Sequence, residues 1–203
     1  MLTLKKVAVT GGLSCGKSVA CQFFKELGAY IVNADEIVHQ LLSPQTPIGQ
    51  KVILLLGDDV LVNGQLDRSK IAKKVFNNQA LLQSLQEILH PAVLNEIEKQ
   101  YQKIKEQSNV RLFVAEVPLL FEISGEVFFD VTVAVHADAK LCKQRFMSAT
   151  GYDENEYKRR MAQQMPSEEK AKRADYIIEN TGTLEQMHRA VKTIFYEIIS
   201  PTS

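Results

Sequence analysis

The sequence predicts a three-layer α/β fold, in which helices cover both faces of a five-stranded parallel sheet. Short apolar runs alternate along the chain with segments whose apolar residues recur at helical spacing, an order that is typical of parallel sheets. A glycine-rich turn joins the first apolar run to the first helical segment. The helical stretch 48–107 is too long for one crossover between strands, so the sequence also predicts an inserted helical lobe.

Five apolar runs are predicted to form the strands of this sheet. The third run is almost continuously apolar, as expected for a central strand that is buried on both faces. In chain order, the runs are 5–10, 30–32, 111–117, 131–135 and 176–178. Parallel strands align their carboxyl ends at one edge of a sheet, so ligands are expected at the loops that follow these runs.

Helices are predicted between the strands and after the last one. The first helix is expected to stop at Gly28, and Asn63-Gly64 predicts a turn. His90-Pro91 is expected to end one helix of the lobe and to start the next, because proline fits a first helical turn. The helical patterns cover 19–27, 37–42, 48–56, 71–76, 81–89, 93–104, 138–147, 153–164 and 184–198, and a further short helix is expected to open at 166–169.

The bulk composition limits the classes of partner. Among 203 residues, 24 Lys and Arg balance 24 Asp and Glu, which argues against a nucleic acid or an acidic membrane as partner. The odd number of cysteines, three, argues against a disulfide framework and for a reducing compartment. No apolar run approaches the ~20 residues that span a bilayer. We therefore expect one soluble, cytoplasmic domain.

Residues 11–18 fit the pattern G-x-x-x-x-G-K-[ST] of loops that bind nucleoside triphosphates. In such a loop, backbone N–H groups surround phosphate oxygens, Lys17 reaches the β- and γ-phosphates, and Ser18 ligates Mg²⁺. The alternative is a glycine turn with a chance lysine, which the preceding strand and the following helix disfavour. The residues predicted to bind the nucleotide are Gly12, Leu13, Ser14, Cys15, Gly16, Lys17, Ser18 and Val19.

Three classes of nucleotide-using protein compete for this loop: a small-molecule kinase, a GTP switch and an assembly ATPase. A GTP switch usually carries Asp-x-x-Gly and [NT]-K-x-D, and the sequence contains neither pattern. An assembly ATPase is usually larger. The small size, the inserted lobe and a pair of basic helices after the fourth strand favour a kinase with a closing lid.

Two acidic residues and a histidine follow the strand ends. Asp35 is predicted to accept the proton of the attacking hydroxyl or to orient that hydroxyl, and the alternative is an ordinary helix N-cap. His39 lies four residues on, so it either contacts the substrate or tunes Asp35, or it is a surface or partly buried helix histidine without a site role. Glu116 ends the third strand, where it either holds Mg²⁺ or is a surface charge.

Basic residues crowd the segment that is predicted to form the lid. Most of them are expected to be solvated, and one or two are expected to swing over the triphosphate and to neutralise its charge. Sequence spacing does not choose between them. They are Lys140, Lys143, Arg145, Lys158, Arg159, Arg160, Lys170, Lys172 and Arg173.

Blocks along nearly the whole chain resemble the dephospho-coenzyme A kinase family. The phosphate loop is generic, whereas a Pro-Leu-Leu-Phe-Glu block with Leu-Asp-Arg and His-Pro at these separations is specific. The resembling blocks are 10–12, 16–18, 34–35, 64–68, 90–91, 117–122, Arg160 with Gln164, 174–175, and Asn180 with Gly182. The resemblance implies a P-loop kinase fold and transfer of the γ-phosphoryl group of ATP to the ribose 3′-hydroxyl of dephospho-coenzyme A, with Mg²⁺.

The resemblance also implies roles for individual residues. Asp35 and Lys17 would be catalytic together with Arg145 of the lid, Ser18 and Glu116 would hold Mg²⁺, and Asn180 would lie near the ATP base. The residues that would bind the coenzyme substrate are Asp35, His39, Arg68, His90, Pro118 and Leu119. The alternatives are a nucleoside or nucleotide kinase of the same fold and a non-enzymatic nucleotide-dependent switch.

The resemblance divides the single domain into three parts. The core would comprise 1–59, 108–138 and 174–203, the helical substrate lobe about 60–107, and the lid about 139–170. We expect a monomer or a weak oligomer that binds ATP and dephospho-coenzyme A.

Five positions depart from the usual family pattern. Ser14-Cys15 stands where Gly-Ser is usual, and serine is less free than glycine to adopt positive φ, so we expect it to keep an allowed conformation. Asn33 and Glu116 stand where aspartate is usual, and Ala149 stands where a second lid arginine is usual, so Arg159 or Arg160 is expected to substitute for it. Cys15 beside Lys17 is either a reactive thiolate or a small residue in a serine position.

Overall fold

The computed structural model describes residues 4–76, 78–107 and 109–200, so the predicted core residues 1–3, 108 and 201–203 and lobe residue 77 lie outside it. Its strands are β1 (Lys6–Gly11), β2 (Ala29–Asn33), β3 (Leu61–Val62), β4 (Gln65–Leu66), β5 (Leu112–Glu116), β6 (Val131–His136) and β7 (Tyr176–Glu179). Its helices are α1 (Lys17–Glu26), α2 (Ala34–Leu41), α3 (Pro47–Leu56), α4 (Arg68–Phe76), α5 (Gln79–Ile104), α6 (Ala139–Thr150), α7 (Glu154–Met161), α8 (Ser167–Arg173) and α9 (Leu184–Ile199), with short 3-10 helices at Asp58–Val60 and Gly125–Phe128.

The predicted five-stranded parallel sheet is confirmed, with the strand order β2-β5-β1-β6-β7. All residues of β5 are buried, which explains why this run is almost continuously apolar. Strands β2 and β5 pair in a register that sets Asn33 opposite Glu116, and β1 pairs with β5 on its other side. The loop after β1 and the last residues of β2 and β5 therefore meet at one edge of the sheet.

Apolar side chains packed between the five-stranded sheet and its helices form a hydrophobic core. Phe24 of α1 and Phe195 of α9 are fully buried, and their ring centroids are 6.4 Å apart. Burying a side chain of this size contributes about 1.5–3 kcal/mol. Thr183 and Gln186 form a capping box that starts α9. No helix in the described part of the chain is both long enough and apolar enough to span a membrane.

The chain divides into two compact units, and the first comprises the segments up to Asn33 and from Tyr101 onwards. The second unit is Ala34–Gln100, which includes residues 34–59 that the sequence analysis assigned to the core. Its centre is a separate apolar cluster formed by Leu42, Val52, Leu56, Val60, Ile71, Val75 and Leu85. Asn63 and Gly64, with φ of 49° and 73°, turn the chain between β3 and β4, as the sequence predicts.

The predicted break at His90-Pro91 is wrong, because α5 runs without interruption from Gln79 to Ile104 and contains Pro91. Proline removes one hydrogen bond and crowds the preceding turn, but the buried residues continue at helical spacing on both sides of it. Leu85, Val93 and Ile97 are all at least 93% buried. Burial of this stripe keeps the helix continuous through Pro91.

Helix ends in the 139–170 segment also differ from the prediction. Helix α6 continues to Thr150, three residues beyond the predicted end, and stops at Gly151, which has a φ of 72°. Helix α7 ends at Met161 rather than at 164. Gly151 explains why α6 ends at Thr150, because a residue with a side chain is unfavourable in this left-handed conformation.

Candidate active site

The phosphate loop connects the carboxyl end of β1 to the first turn of α1. A Cβ on Gly11 would lie 2.2 Å from the carbonyl oxygen of Val135, and a Cβ on Gly16 would lie 2.3 Å from the side-chain nitrogen of Asn180. Gly16 also has a φ of 100°. Both positions therefore require glycine, which accounts for two fixed points of the motif.

Ser14 has a φ of 58°, so it enters the left-handed region rather than avoiding positive φ. For a residue with a side chain this conformation costs roughly 1–2 kcal/mol. The loop thus keeps a turn that suits glycine although serine occupies the position. The amide of Asn180 donates to the carbonyl oxygen of the next residue, Cys15, at 2.8 Å and thereby fixes this part of the loop.

Lys17 begins α1 and folds back over its own loop. Its Nζ donates to the carbonyl oxygens of Gly11, at 3.2 Å, and Gly12, at 2.9 Å. These carbonyls hold the ammonium at the loop. A phosphate bound in the loop would offer a charged oxygen in place of a neutral carbonyl, and charge-assisted hydrogen bonds are roughly twice as strong.

Ser18, Glu116 and Asn33 form a hydrogen-bonded group beside the loop. Ser18 Oγ donates to Glu116 Oε1 at 3.0 Å, and Asn33 Nδ2 donates to Glu116 Oε2 at 3.0 Å. The glutamate is buried, with 6% of its surface exposed. The Asn33 amide stands where the family pattern has a carboxylate, and it donates to Glu116 instead of repelling it. This arrangement holds both glutamate oxygens in fixed directions.

The other acidic and basic candidates from the first part of the chain lie in the second unit. Asp35 is exposed in the first turn of α2, and His39 is exposed in its last turn. Arg68 begins α4 and is exposed, and His90 is partly buried in α5, where burial lowers its pKa. These four residues belong to the second unit, whereas the phosphate loop belongs to the first. Their roles therefore stay predictions.

The segment after β5 carries a buried ion pair that the sequence analysis missed. Lys170 is fully buried and is thus an exception among the basic residues of this segment, most of which were expected to be solvated. Its Nζ donates to Glu122 Oε1 at 2.8 Å and to the Pro118 carbonyl oxygen at 2.6 Å. Glu122 also accepts from the backbone N–H of Met165 at 2.8 Å. The pair therefore anchors the start of α8 to the Pro118–Glu122 block, which also includes the partly buried Leu119.

The arginines of the 139–170 segment differ in what they contact. Arg159 and Arg160 both pair with Glu156, and Arg160 lies over the rings of Phe146 and Tyr152. In contrast, Nη1 of Arg145 is buried without a hydrogen-bond partner among the described residues. A buried donor without a partner is costly. Arg145 thus differs from Arg159 and Arg160, which are paired with Glu156, in having a buried donor without a partner among the described residues.

Comparisons with known proteins identify the family of this chain. A family model described as dephospho-CoA kinase matches residues 5–186. The dephospho-CoA kinase of Protochlamydia amoebophila is 51% identical over 199 residues, 98% of each chain. The dephospho-CoA kinase of Chlamydia pneumoniae is 48% identical over 198 residues, again 98% of each chain.

Solved structures give the same result for the fold. TT1252 from Thermus thermophilus superposes with a TM-score of 0.83 and 28% identity, covering 97% of this chain and 98% of its own. A dephospho-CoA kinase from Campylobacter jejuni has a TM-score of 0.69 and 27% identity, covering 95% and 96%. A shikimate kinase from Bacteroides thetaiotaomicron, with a TM-score of 0.52 and 15% identity over 96% and 98%, is alike in fold alone.

Proposed function

Because this chain belongs to the dephospho-CoA kinase family, we propose that it transfers the γ-phosphoryl group of ATP to the ribose 3′-hydroxyl of dephospho-coenzyme A, which gives coenzyme A and ADP. The observation that carries this conclusion is the match to the family over nearly the full chain, together with a phosphate loop whose lysine and serine lie beside a buried glutamate. No finding supports the alternatives, a nucleotide kinase or a nucleotide-dependent switch.

The oxygen atoms beside the loop fit a magnesium ion. Ser18 Oγ and Glu116 Oε1 are 3.0 Å apart, and Mg²⁺ prefers such oxygen ligands, with its remaining positions filled by water and substrate phosphates. We assign Ser18 and Glu116 as the protein ligands, with Asn33 orienting the glutamate. When bound with ATP, Mg²⁺ neutralises part of the charge of the β- and γ-phosphates.

Lys17 and the loop backbone bind the triphosphate. The Nζ of Lys17 leaves the carbonyl oxygens of Gly11 and Gly12 and pairs with the β- and γ-phosphates, since the charged oxygens are the stronger acceptors. The N–H groups of residues 12–19 and the positive end of α1 supply the rest of the cradle. Asn180 keeps the loop in shape by its hydrogen bond to Cys15.

Asp35 is the group to which we assign the proton of the attacking hydroxyl. It comes two residues after the end of β2, at the edge where ligands bind in parallel sheets, and its side chain is exposed. Its carboxylate accepts the proton as the 3′-oxygen attacks phosphorus in line with the departing ADP, and no covalent enzyme intermediate forms. We further propose that Arg68, His90, His39, Pro118 and Leu119 take part in binding the coenzyme substrate.

Arg145 completes the charge neutralisation. Its unpartnered Nη1 makes it the stronger candidate than Arg159 or Arg160, which are held by Glu156. We propose that the segment 139–170 is a lid that brings this guanidinium to the transferring phosphoryl group. The cytoplasmic location and the monomeric or weakly oligomeric state stay predictions.

One assay separates the three functions. ADP release is measured with ATP and Mg²⁺ in the presence of dephospho-coenzyme A, or of a panel of nucleosides and nucleotides. Stimulation by dephospho-coenzyme A alone is expected. Stimulation only by a nucleotide would instead identify a nucleotide kinase, and no stimulation by any acceptor would favour a switch.

A further inference from the structure

Cys15 and Cys142 lie side by side although 127 positions separate them in the sequence. Cys15 is in the phosphate loop and Cys142 is in α6. Their Sγ atoms are 2.9 Å apart. A disulfide has an S–S length of about 2.0 Å, so the two sulfur atoms need to approach by only about 1 Å to bond.

Both thiols border the same cavity, which has a volume of about 120 Å³. Tyr157, Met161 and Gln164 form another part of its wall, and Gln164 Oε1 is buried without a partner among the described residues. One water requires roughly 10–15 Å³ on this measure, so the cavity has room for hydrogen peroxide, a molecule of two oxygens. The thiols are only 1% and 2% exposed, but a small oxidant in this cavity reaches both.

The two thiols have unequal acidities. The hydrogen bond between the two Sγ atoms, with further contributions from Ser167 and the ammonium of Lys17, lowers the pKa of Cys15 against the opposing effect of burial. The same contact and burial raise the pKa of Cys142. Cys15 is therefore the nucleophilic thiolate of the pair, and Cys142 is a thiol placed to react with it next.

Cys21 provides an internal contrast. It lies in α1, is 3% exposed, and its pKa is raised, chiefly by burial. A buried thiol of this kind is inert toward oxidants. The chain thus offers one reactive pair and one matched unreactive cysteine.

We propose that Cys15 and Cys142 form an oxidation site, at which hydrogen peroxide converts the two thiols into a disulfide that reversibly slows phosphoryl transfer. The Cys15 thiolate attacks one peroxide oxygen, the O–O bond breaks, and hydroxide leaves and is protonated to water. The resulting sulfenic acid on Cys15 is attacked by the sulfur of Cys142, the S–O bond breaks, and a second water leaves. Overall, two thiols lose two electrons and two protons, and one peroxide is reduced to two waters.

The disulfide ties the phosphate loop to the helix that carries Arg145. Arg145 lies three residues after Cys142, which places both on one face of α6. A loop that is fixed to this helix restrains the movement by which the lid arginine reaches the phosphates. This consequence for catalysis rests on the proposed function, whereas the formation of the disulfide does not.

The experiment treats the full chain with hydrogen peroxide, alkylates the remaining thiols under denaturing conditions, and identifies the cysteine-containing peptides by mass spectrometry. We expect a linked pair of peptides that contains Cys15 and Cys142, and an alkylated Cys21. ADP release is expected to fall, because movement of a lid gates turnover, and to recover when a dithiol reductant is added.

Two variants serve as matched controls. Cys142→Ser removes the resolving thiol, so it should form no linked peptide and should keep normal ADP release without peroxide. Cys21→Ser should behave as the unmodified chain does. Alkylation of both Cys15 and Cys142 after peroxide, or a linked peptide that contains Cys21, would overturn the oxidation site.

The measurement of ADP release tests the effect of the disulfide on catalysis separately. A complete disulfide that leaves ADP release unchanged would contradict the restraint on phosphoryl transfer. If the reduced chain releases no ADP with dephospho-coenzyme A, the proposed function fails, while the peptide measurement still decides whether the oxidation site exists.

Discussion

Asn33 donates its side-chain amide to Glu116 at 3.0 Å, and the two residues are register partners at the carboxyl ends of β2 and β5. A neutral donor thus lies beside the buried carboxylate that we assign to Mg²⁺. An aspartate at position 33 would place two carboxylates at the same spot, where like charges disfavour their joint ionisation.

Asn33→Asp is therefore expected to lower the melting temperature in a buffer without Mg²⁺, and Mg²⁺ is expected to restore much of the loss. A change of 1 kcal/mol corresponds to about 2–4 °C for a chain of this size. Thermal unfolding with and without Mg²⁺ measures the effect. Asn33→Ala is the control, because it loses the hydrogen bond without adding charge and should show no such recovery. Equal losses for Asn33→Asp in both buffers would remove Glu116 from the metal site.

Replacing Asp35 tests the assignment of the proton acceptor. Asp35→Asn is expected to lower kcat by roughly 10²–10⁴, the contribution of a positioned general base, while ATP affinity stays unchanged. Glu36→Gln is a matched control, since Glu36 is the neighbouring acid in the same first turn of α2. Steady-state ADP release and ATP titration give the two quantities. An Asp35→Asn chain with near-normal turnover would show that the carboxylate does not accept the proton.

Much of the fold is predictable from the sequence because it depends on local periodicity. The strand Lys6–Gly11 is an apolar run that leads into the glycine-rich loop, and the strand Leu112–Glu116 is an apolar run that ends in an acidic residue. The pattern therefore predicts both that these segments are strands and that they belong to a parallel sheet. Helix α3 begins at Pro47, after the cap of Thr46, within one residue of its predicted start. Signals of this kind lie within a few residues of the element that they predict.

Features that depend on distant contacts are not predictable in this way. Pro91 is a helix breaker by local rules, and only burial of the stripe on both sides keeps α5 continuous. Lys170 has the sequence context of a solvated lysine, but 48 positions separate it from Glu122, which neutralises it in the interior. The contact between Cys15 and Cys142 likewise joins two segments that no sequence spacing relates.

The Glu122–Lys170 pair predicts a large stability effect. Lys170→Met removes the cation and leaves a largely buried carboxylate without its charge partner, so we expect a loss of about 3–5 kcal/mol in the free energy of unfolding. The double variant Glu122→Gln with Lys170→Met should lose much less, because glutamine still accepts from Met165 and no charge is left buried. Denaturant unfolding measures both. Lys172→Met, an exposed position in the same helix, is the control, and a loss as large as that of Lys170→Met there would contradict the explanation.

The pair of His136 and Glu179 predicts a pH-dependent contribution to stability at the ends of β6 and β7. The Glu179 carboxylate, 3.0 Å from Nδ1, raises the pKa of His136, with a smaller contribution from Glu168. Since the pKa is higher in the folded state, the stabilisation is complete below the unfolded value of about 6.5 and disappears as the pH rises through the folded value. Glu179→Gln should therefore cost about 0.2–1 kcal/mol, the range of exposed ion pairs, near pH 5.5 and much less near pH 8.5. Denaturant unfolding at the two pH values checks this, and an equal cost at both would show that the imidazolium charge does not contribute.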